Sequence, residues 1–118
     1  MPALDIVRGD IVYADLRGAE GGEKQGARPC LVVQNDVGNR YSPLTIVAPI
    51  TDQRQNKQLP VQVSVAGAEL GPDGKDSVIE CGHLRTIDRD SRIERVVSRL
   101  SAETMLQVDK ALAVSVGL

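Results

Sequence analysis

From Gly9, the run GDIVYADL sets Ile11 and Tyr13 on one side of an extended chain and Val12 and Ala14 on the other, and this two-residue period predicts a first strand. The following RGAEGGEKQGA carries glycine and charge without a period and predicts a surface loop. PCLVVQ, from Pro29, is apolar at its centre and predicts a second, buried strand. Its proline fits only at the first position, where a ladder donor can be missing. After the turn residues NDVGNRYSP, LTIVAPI from Leu44 predicts a third strand, and TDQRQNKQ a second polar loop leaving it. VQVSV puts Val61, Val63 and Val65 on one face and Gln62 and Ser64 on the other, a fourth strand, half buried. GPDG at 71–74 reads as a turn, DSVIEC as a fifth strand and IERVV from Ile93 as a sixth.

The last segment changes period. Ser101 is a good helix N-cap, Glu103 favours the first turn through the dipole, and Met105, Val108, Leu112 and Val116 recur at helical spacing until Gly117. Short antiparallel strands followed by one terminal helix predict a mainly β fold with a C-terminal helix, a small SH3-like barrel. At 118 residues, with no repeat, linker or low-complexity tract, residues 1–118 read as a single domain.

Composition narrows the core and the partners. Two tyrosines with no Phe or Trp leave a core of Val, Ile and Leu. A net charge of −2 argues against indiscriminate coating of nucleic acid. Ten of the fourteen basic residues are nevertheless arginine, whose planar guanidinium suits bidentate phosphate recognition in a local site. The N-terminus lacks a signal-peptide pattern and no apolar run approaches membrane-spanning length, so a soluble, cytoplasmic protein with no membrane partner is expected. Cys30 and Cys81 lack metal-ligand spacing and read as reduced, buried thiols.

Several chemistries can be set aside. There is no phosphate loop and no Gly-x-Ser-x-Gly, and a single histidine cannot supply a paired-imidazole acid and base. Cys81 and His83 in ECGH would share a face if the strand continued through Gly82, a weak signal for a Cys–His nucleophile. Two loop junctions remain: Arg28 enters the second strand and Thr51 leaves the third. Antiparallel pairing of those strands puts both at the same end of the sheet. A fixed cation beside a hydroxyl can hold a phosphodiester and stabilise the charge that develops as an oxygen attacks phosphorus. On spacing alone, the pair reads first as a rim cation and a turn residue.

RGDIVYADL, the glycine-rich loop, ARPCLVVQND, GNRYSPLTIVAPIT and SVIECGHLRTID occur in order over nearly the whole chain and resemble the MazF/PemK family of toxin endoribonucleases. The resemblance implies the CcdB/PemK-like toxin fold, a homodimer, and metal-independent, cofactor-free cleavage of single-stranded RNA at short sequences. It also implies a cognate MazE-like antitoxin whose acidic, flexible tail covers the RNA groove. By position, Arg28 and Thr51 take the family's catalytic roles, with the ribose 2′-hydroxyl as nucleophile; this accounts for selectivity for RNA over DNA. Because a guanidinium has a pKa above about 12, Arg28 is assigned electrostatic work and Thr51 a hydrogen bond to the phosphate.

The expected RNA contacts are Glu23, Lys24, Gln25 and Asn35 around the second strand, Gln53, Arg54 and Lys57 in the second loop, and His83 and Arg85. By the same resemblance, His83 stands where relatives often carry glutamine or another polar residue. Arg92 and Arg95, interleaved with acidic residues, read as a solvated, self-paired surface. Scarce aromatics limit stacking, so hydrogen bonding and shape are expected to carry recognition. The rival function on the same fold is a non-enzymatic gyrase-binding toxin of the CcdB type. Those proteins end in tryptophan, glycine and isoleucine; this chain ends Val116, Gly117, Leu118 and has no Trp.

Overall fold

The computed structural model describes residues 5–17 and 26–118. Seven strands and three helices follow in chain order: β1 (Asp10–Asp15), β2 (Ala27–Val32), α1 (Asp36–Tyr41), β3 (Leu44–Asp52), β4 (Gln62–Val65), β5 (Ser77–Glu80), β6 (Arg85–Asp88), α2 (Arg89–Arg92), β7 (Ile93–Arg99) and α3 (Ala102–Val116). The fold is mainly β, and the pairings are antiparallel in the order β4-β5-β3-β2-β1-β7, with β6 also on β3.

β3 is the spine. Its first half pairs β6 (Leu44↔Asp88 to Val47↔Arg85), its second half pairs β5 (Ile50↔Ile79 to Asp52↔Ser77), and the partner breaks in between, beside Ala48 and Pro49. Pro49 has no amide hydrogen to offer a ladder, which is where an interruption costs least. The sequence reading missed β6, a four-residue strand of charged and polar residues around one buried Ile87, too short to show a period.

Alternation along the strands buries both faces of the sheet. Ile11, Leu31, Ala48, Ile50, Val63, Val65 and Ile79 pack beneath α3 on one side, with Val108 and Ala111 of the helix. Val12, Ala14, Cys30, Val32, Val47, Ile87 and Ile93 form a second apolar cluster on the other. The curled sheet is closed by a turn: Ser98 Oγ of β7 donates to the Glu69 carbonyl at 2.7 Å, while the Glu69 carboxylate accepts from Ser101 N and Thr104 Oγ1, both at 2.7 Å. Glu69 thereby ties the 3-10 turn Gly67–Leu70 to the end of β7 and the start of α3.

Ser101 caps α3 as expected, accepting from Thr104 N, and Gly117 takes the left-handed conformation (φ 78°) that ends it. Val116, expected in the core by periodicity, is instead 59% exposed, because the buried stripe Thr104–Val108–Ala111 leaves the last turn beyond the sheet. NDVGNRYSP is also more than a turn: the Asn35 side chain accepts from Gly38 N and starts α1. No helix among the described residues is long and apolar enough to cross a membrane.

Candidate active site

β2 and β3 pair Cys30 with Pro49, Leu31 with Ala48 and Val32 with Val47. Arg28 and Thr51 each lie two residues beyond the last of these pairs, Cys30–Pro49, at the same end of the two strands. Both line one cavity of about 610 Å³ at this end of the sheet, together with Tyr13, Lys75, Ser77 and Arg95. Each is half buried, at the point where its strand meets a loop. The local sequence explains the placement. Arg28 stands before Pro29, which begins the apolar stretch, and Thr51 follows Ile50, the last buried residue of β3.

A close backbone approach builds the cavity's far wall, which includes Pro72, Asp73, Gly74 and Lys75. Gly67 and Gly74 lie so near each other that a Cβ on Gly74 would come within 2.1 Å of the Gly67 carbonyl oxygen. Asp76 Oδ1 accepts from Gly67 N at 2.8 Å and fixes the same crossing. GPDG was legible as a turn, but its docking on Gly67, and hence its use as a wall, was not.

The polar loop leaving Thr51 is strongly organised. Asp52 accepts from Arg54 N (2.8 Å) and Arg54 Nε (3.0 Å), which holds its carboxyl below the usual range and opens the 3-10 turn Gln53–Gln55. Further on, one side chain does most of the holding. Gln62 Oε1 accepts from Lys57 N (2.9 Å) and Leu59 N (3.2 Å), while Nε2 donates to the Gln55 carbonyl (3.1 Å) and to Glu80 Oε1 (3.0 Å). Sequence reasoning passed over Gln62 as the outward face of a half-buried strand; only its pairing with Glu80 in the β4–β5 ladder reveals the role.

The expected contacts separate into groups. Gln53, Arg54 and Lys57 are exposed on the loop that runs out of Thr51. His83 is exposed on the β5–β6 turn, which lies against the same loop: Cys81 N donates to the Val61 carbonyl at 2.9 Å, and Gly82 packs on the Val61 side chain. Arg85 is committed elsewhere, its guanidinium donating to the carbonyls of Leu16 and Arg17 (3.1 Å to Arg17), and Arg92 donates to the Arg17 carbonyl at 2.6 Å. These two arginines pin the chain where it enters residues 18–25. Asn35 is not brought to the site, since it caps α1 at the opposite end of β2 from Arg28. Glu23, Lys24 and Gln25 lie outside the described residues. Arg95, read as plain surface, instead lines the cavity.

The thiols are poor nucleophiles. Cys30 and Cys81 are fully buried and free, and burial pushes each up to about 12. A buried Cys81 beside an exposed His83 also removes the Cys–His pair from consideration, because Gly82 turns the chain between them. Among the described residues no three His, Cys, Asp or Glu side chains are grouped as a metal site.

A cation and a hydroxyl at the same end of neighbouring strands, lining one cavity, suit an anionic, phosphate-like substrate, and comparison with known proteins places the chain. The model of the PemK-like, MazF-like toxins of type II toxin–antitoxin systems matches residues 7–116. The chain belongs to this family. It is 44% identical over 113 residues to the endoribonuclease EndoA of Bacillus subtilis, covering 96% of each, and 42% identical over 113 residues to the endoribonuclease MazF of Staphylococcus epidermidis, covering 96% and 92%. A mycobacterial endoribonuclease solved in complex with its cognate antitoxin has the same fold, with a TM-score of 0.76 over 96% of each chain at 23% identity. The PemK/MazF-like fold thus accounts for a spine strand and a terminal helix, and its members named as endoribonucleases favour RNA chemistry over gyrase binding.

Proposed function

We propose that this chain is the toxin of a type II toxin–antitoxin pair, a sequence-specific endoribonuclease that cuts single-stranded mRNA in the cytoplasm and so inhibits translation and growth. The observation that carries this reading is the convergence of Arg28 and Thr51 on one cavity in a chain whose relatives are endoribonucleases.

In the proposed reaction the ribose 2′-oxygen attacks phosphorus, its proton leaves, and the bond to the 5′-oxygen breaks as that oxygen gains a proton. The products are a cyclic phosphate and a 5′-hydroxyl. The RNA brings its own nucleophile, so the step requires no metal or cofactor. Arg28 neutralises the extra charge on the phosphorane oxygens, while Thr51 donates a hydrogen bond that orients the phosphate. Arg28 does not shuttle the proton, since a guanidinium is a permanent cation.

Gln53, Arg54, Lys57 and His83 extend the RNA surface from Thr51 across the adjoining loop and turn, and Glu23, Lys24 and Gln25 contribute from the β1–β2 connection. Arg85 acts one step back by fixing the base of that connection, and Asn35 is left out. The family model's span, 7–116, supports one functional unit over 1–118. The exposed Leu106, Val114, Val116 and Leu118 on or after α3 support a homodimer. The cavity lining carries Arg28, Lys75 and Arg95 against Asp52 and Asp73, and this excess of cations supports an acidic antitoxin tail as a partner.

Primer-extension mapping of a long RNA, with chelator present, tests the reading. Cuts at one short recurring sequence, with cyclic phosphate and 5′-hydroxyl ends, are expected; intact RNA would overturn it.

A further inference from the structure

The β2–β3 ladder stops short of Arg28 and Thr51: its last pair is Cys30–Pro49, and from Ile50 onward β3 pairs β5. Beyond that point β2 is carried by β1, through Ala14↔Arg28 and Asp15↔Ala27, and then by the Leu16 amide, which donates to the Gly26 carbonyl at 3.0 Å. The carbonyls at this end of β1 are held from a different strand. Arg85 of β6 donates through Nη1 to the Leu16 carbonyl and through Nη2 to the Arg17 carbonyl at 3.1 Å. Its own backbone pairs with Val47 of β3, four residues before Thr51. One guanidinium thereby ties the strand that bears Thr51 to the segment that holds the Arg28 end of β2.

Resting on the endoribonuclease reading above, we propose that Arg85 is a positioning residue for RNA cleavage, a brace that sets Arg28 in place relative to Thr51. The two arginines and the threonine share one face of the sheet. Ala14, Cys30 and Val47 belong to one apolar cluster, and the ladders set Arg28 opposite Ala14 and Arg85 opposite Val47. Thr51 falls on the same side by alternation along β3 from Val47. The buried Cys30 thiol feels both cations: burial pushes it up to about 12, and Arg28 and Arg85 each work against that rise. A planar fork that bonds two successive carbonyls fixes direction as well as distance. Both matter here, because a group misplaced by about 1 Å can cost about a hundredfold in rate.

The test is a double-mutant cycle of Arg85→Gln with Arg28→Ala, read as kcat on an oligoribonucleotide. Beside it, binding is measured to the same RNA carrying a 2′-deoxy sugar at the cut, which removes the nucleophile. Arg85→Gln should lower kcat by about tenfold, inside the loss that misplacement can cause. Arg85→Lys, which keeps the charge and can reach one carbonyl, should recover part of it. In the Arg28→Ala background Arg85→Gln should cost about twofold at most, since the group it positions is gone. Affinity for the unreactive RNA, and its salt dependence, should stay at wild-type values. Thermal melting identifies folded variants, and Arg85→Lys in both backgrounds carries the cycle if Arg85→Gln unfolds. The inference is overturned if the loss is the same with and without Arg28, or if kcat is unchanged. It is also overturned if the slope of log affinity against log salt flattens by about 0.7, the signature of one lost contact to a single-strand phosphate. A wild-type protein that cuts no RNA instead defeats the functional reading on which the brace rests.

Discussion

Gln62 Nε2 donates to Glu80 Oε1 at 3.0 Å across the β4–β5 ladder, and the same amide makes three further bonds to the backbone of residues 55–59. Two acceptor and two donor positions are all in use, the full capacity of a primary amide. Gln58 is held at φ 56° within this loop, a conformation that costs energy for a non-glycine residue. Gln62→Leu removes every one of these bonds and frees the loop, with a stability loss of about 2 kcal/mol. If the loop carries RNA contacts, KM should rise more than kcat falls. Steady-state kinetics on an oligoribonucleotide, read beside urea denaturation, checks both. A melted loop with unchanged KM would show that residues 53–59 do not hold the substrate.

Arg28 and Thr51 are separable by substitution. Removing one preorganised donor to a developing oxyanion costs about 3 kcal/mol, so Thr51→Ala should cut kcat by roughly a hundredfold. Arg28→Ala should lose at least as much. Arg28→Lys keeps the charge but loses the planar fork, so it should recover only part of the activity. Both side chains are half buried at loop junctions, and circular dichroism melts should stay near wild type. Wild-type rates in either folded alanine variant would remove that residue from the catalytic assignment.

The strands with a period were legible. β1, β3 and β4 show alternation or apolar density, and Ser101 with Gly117 marked both ends of α3. What stayed hidden depends on contacts between distant segments. β6 has one buried residue and exists because β3 offers an edge. Arg85 stands within a block shared with the family and was expected at RNA, yet its guanidinium is spent on the Leu16 and Arg17 carbonyls. Arg95 sits among acidic neighbours that suggested self-pairing, and only the register with Tyr13 turns it into the cavity. Strand direction alone placed Arg28 and Thr51 at one end of the sheet, because adjacent antiparallel strands leave little choice.

The thiols make a pH-dependent prediction. Burial raises Cys30 and Cys81 from an ordinary value of 9.0 to about 12. The unfolded chain therefore loses both protons near pH 9 while the native chain keeps them. Their contribution to stability is complete below pH 9 and declines as pH rises from there toward about 12, with a slope approaching 1.4 kcal/mol per pH unit for each thiol. Native protein at pH 8 should react slowly with a thiol reagent such as dithionitrobenzoate, and both cysteines should react at once in denaturant. Rapid labelling of either thiol in the folded state would contradict the burial.

The wall opposite Arg28 and Thr51 rests on the contact between Gly67 and Gly74. A Cβ on Gly74 would meet the Gly67 carbonyl oxygen at 2.1 Å and the Leu70 Cβ at 2.8 Å, so backbone must move. Leu70 is in the main core and Lys75 in the cavity, so a shift here is felt in both. Gly74→Ala should destabilise by about 2 kcal/mol, in the range for overpacking, and should lower RNA cleavage even at temperatures where the variant is fully folded. Gly26→Ala is the contrasting case: its Cβ meets nothing within 4 Å among the described residues, and the cost visible there is a φ of 83°. Comparing melting temperatures and kcat/KM for the two variants separates damage to the wall from backbone strain. Equal activity in folded Gly74→Ala and wild type would mean that the 72–75 wall does not shape the substrate.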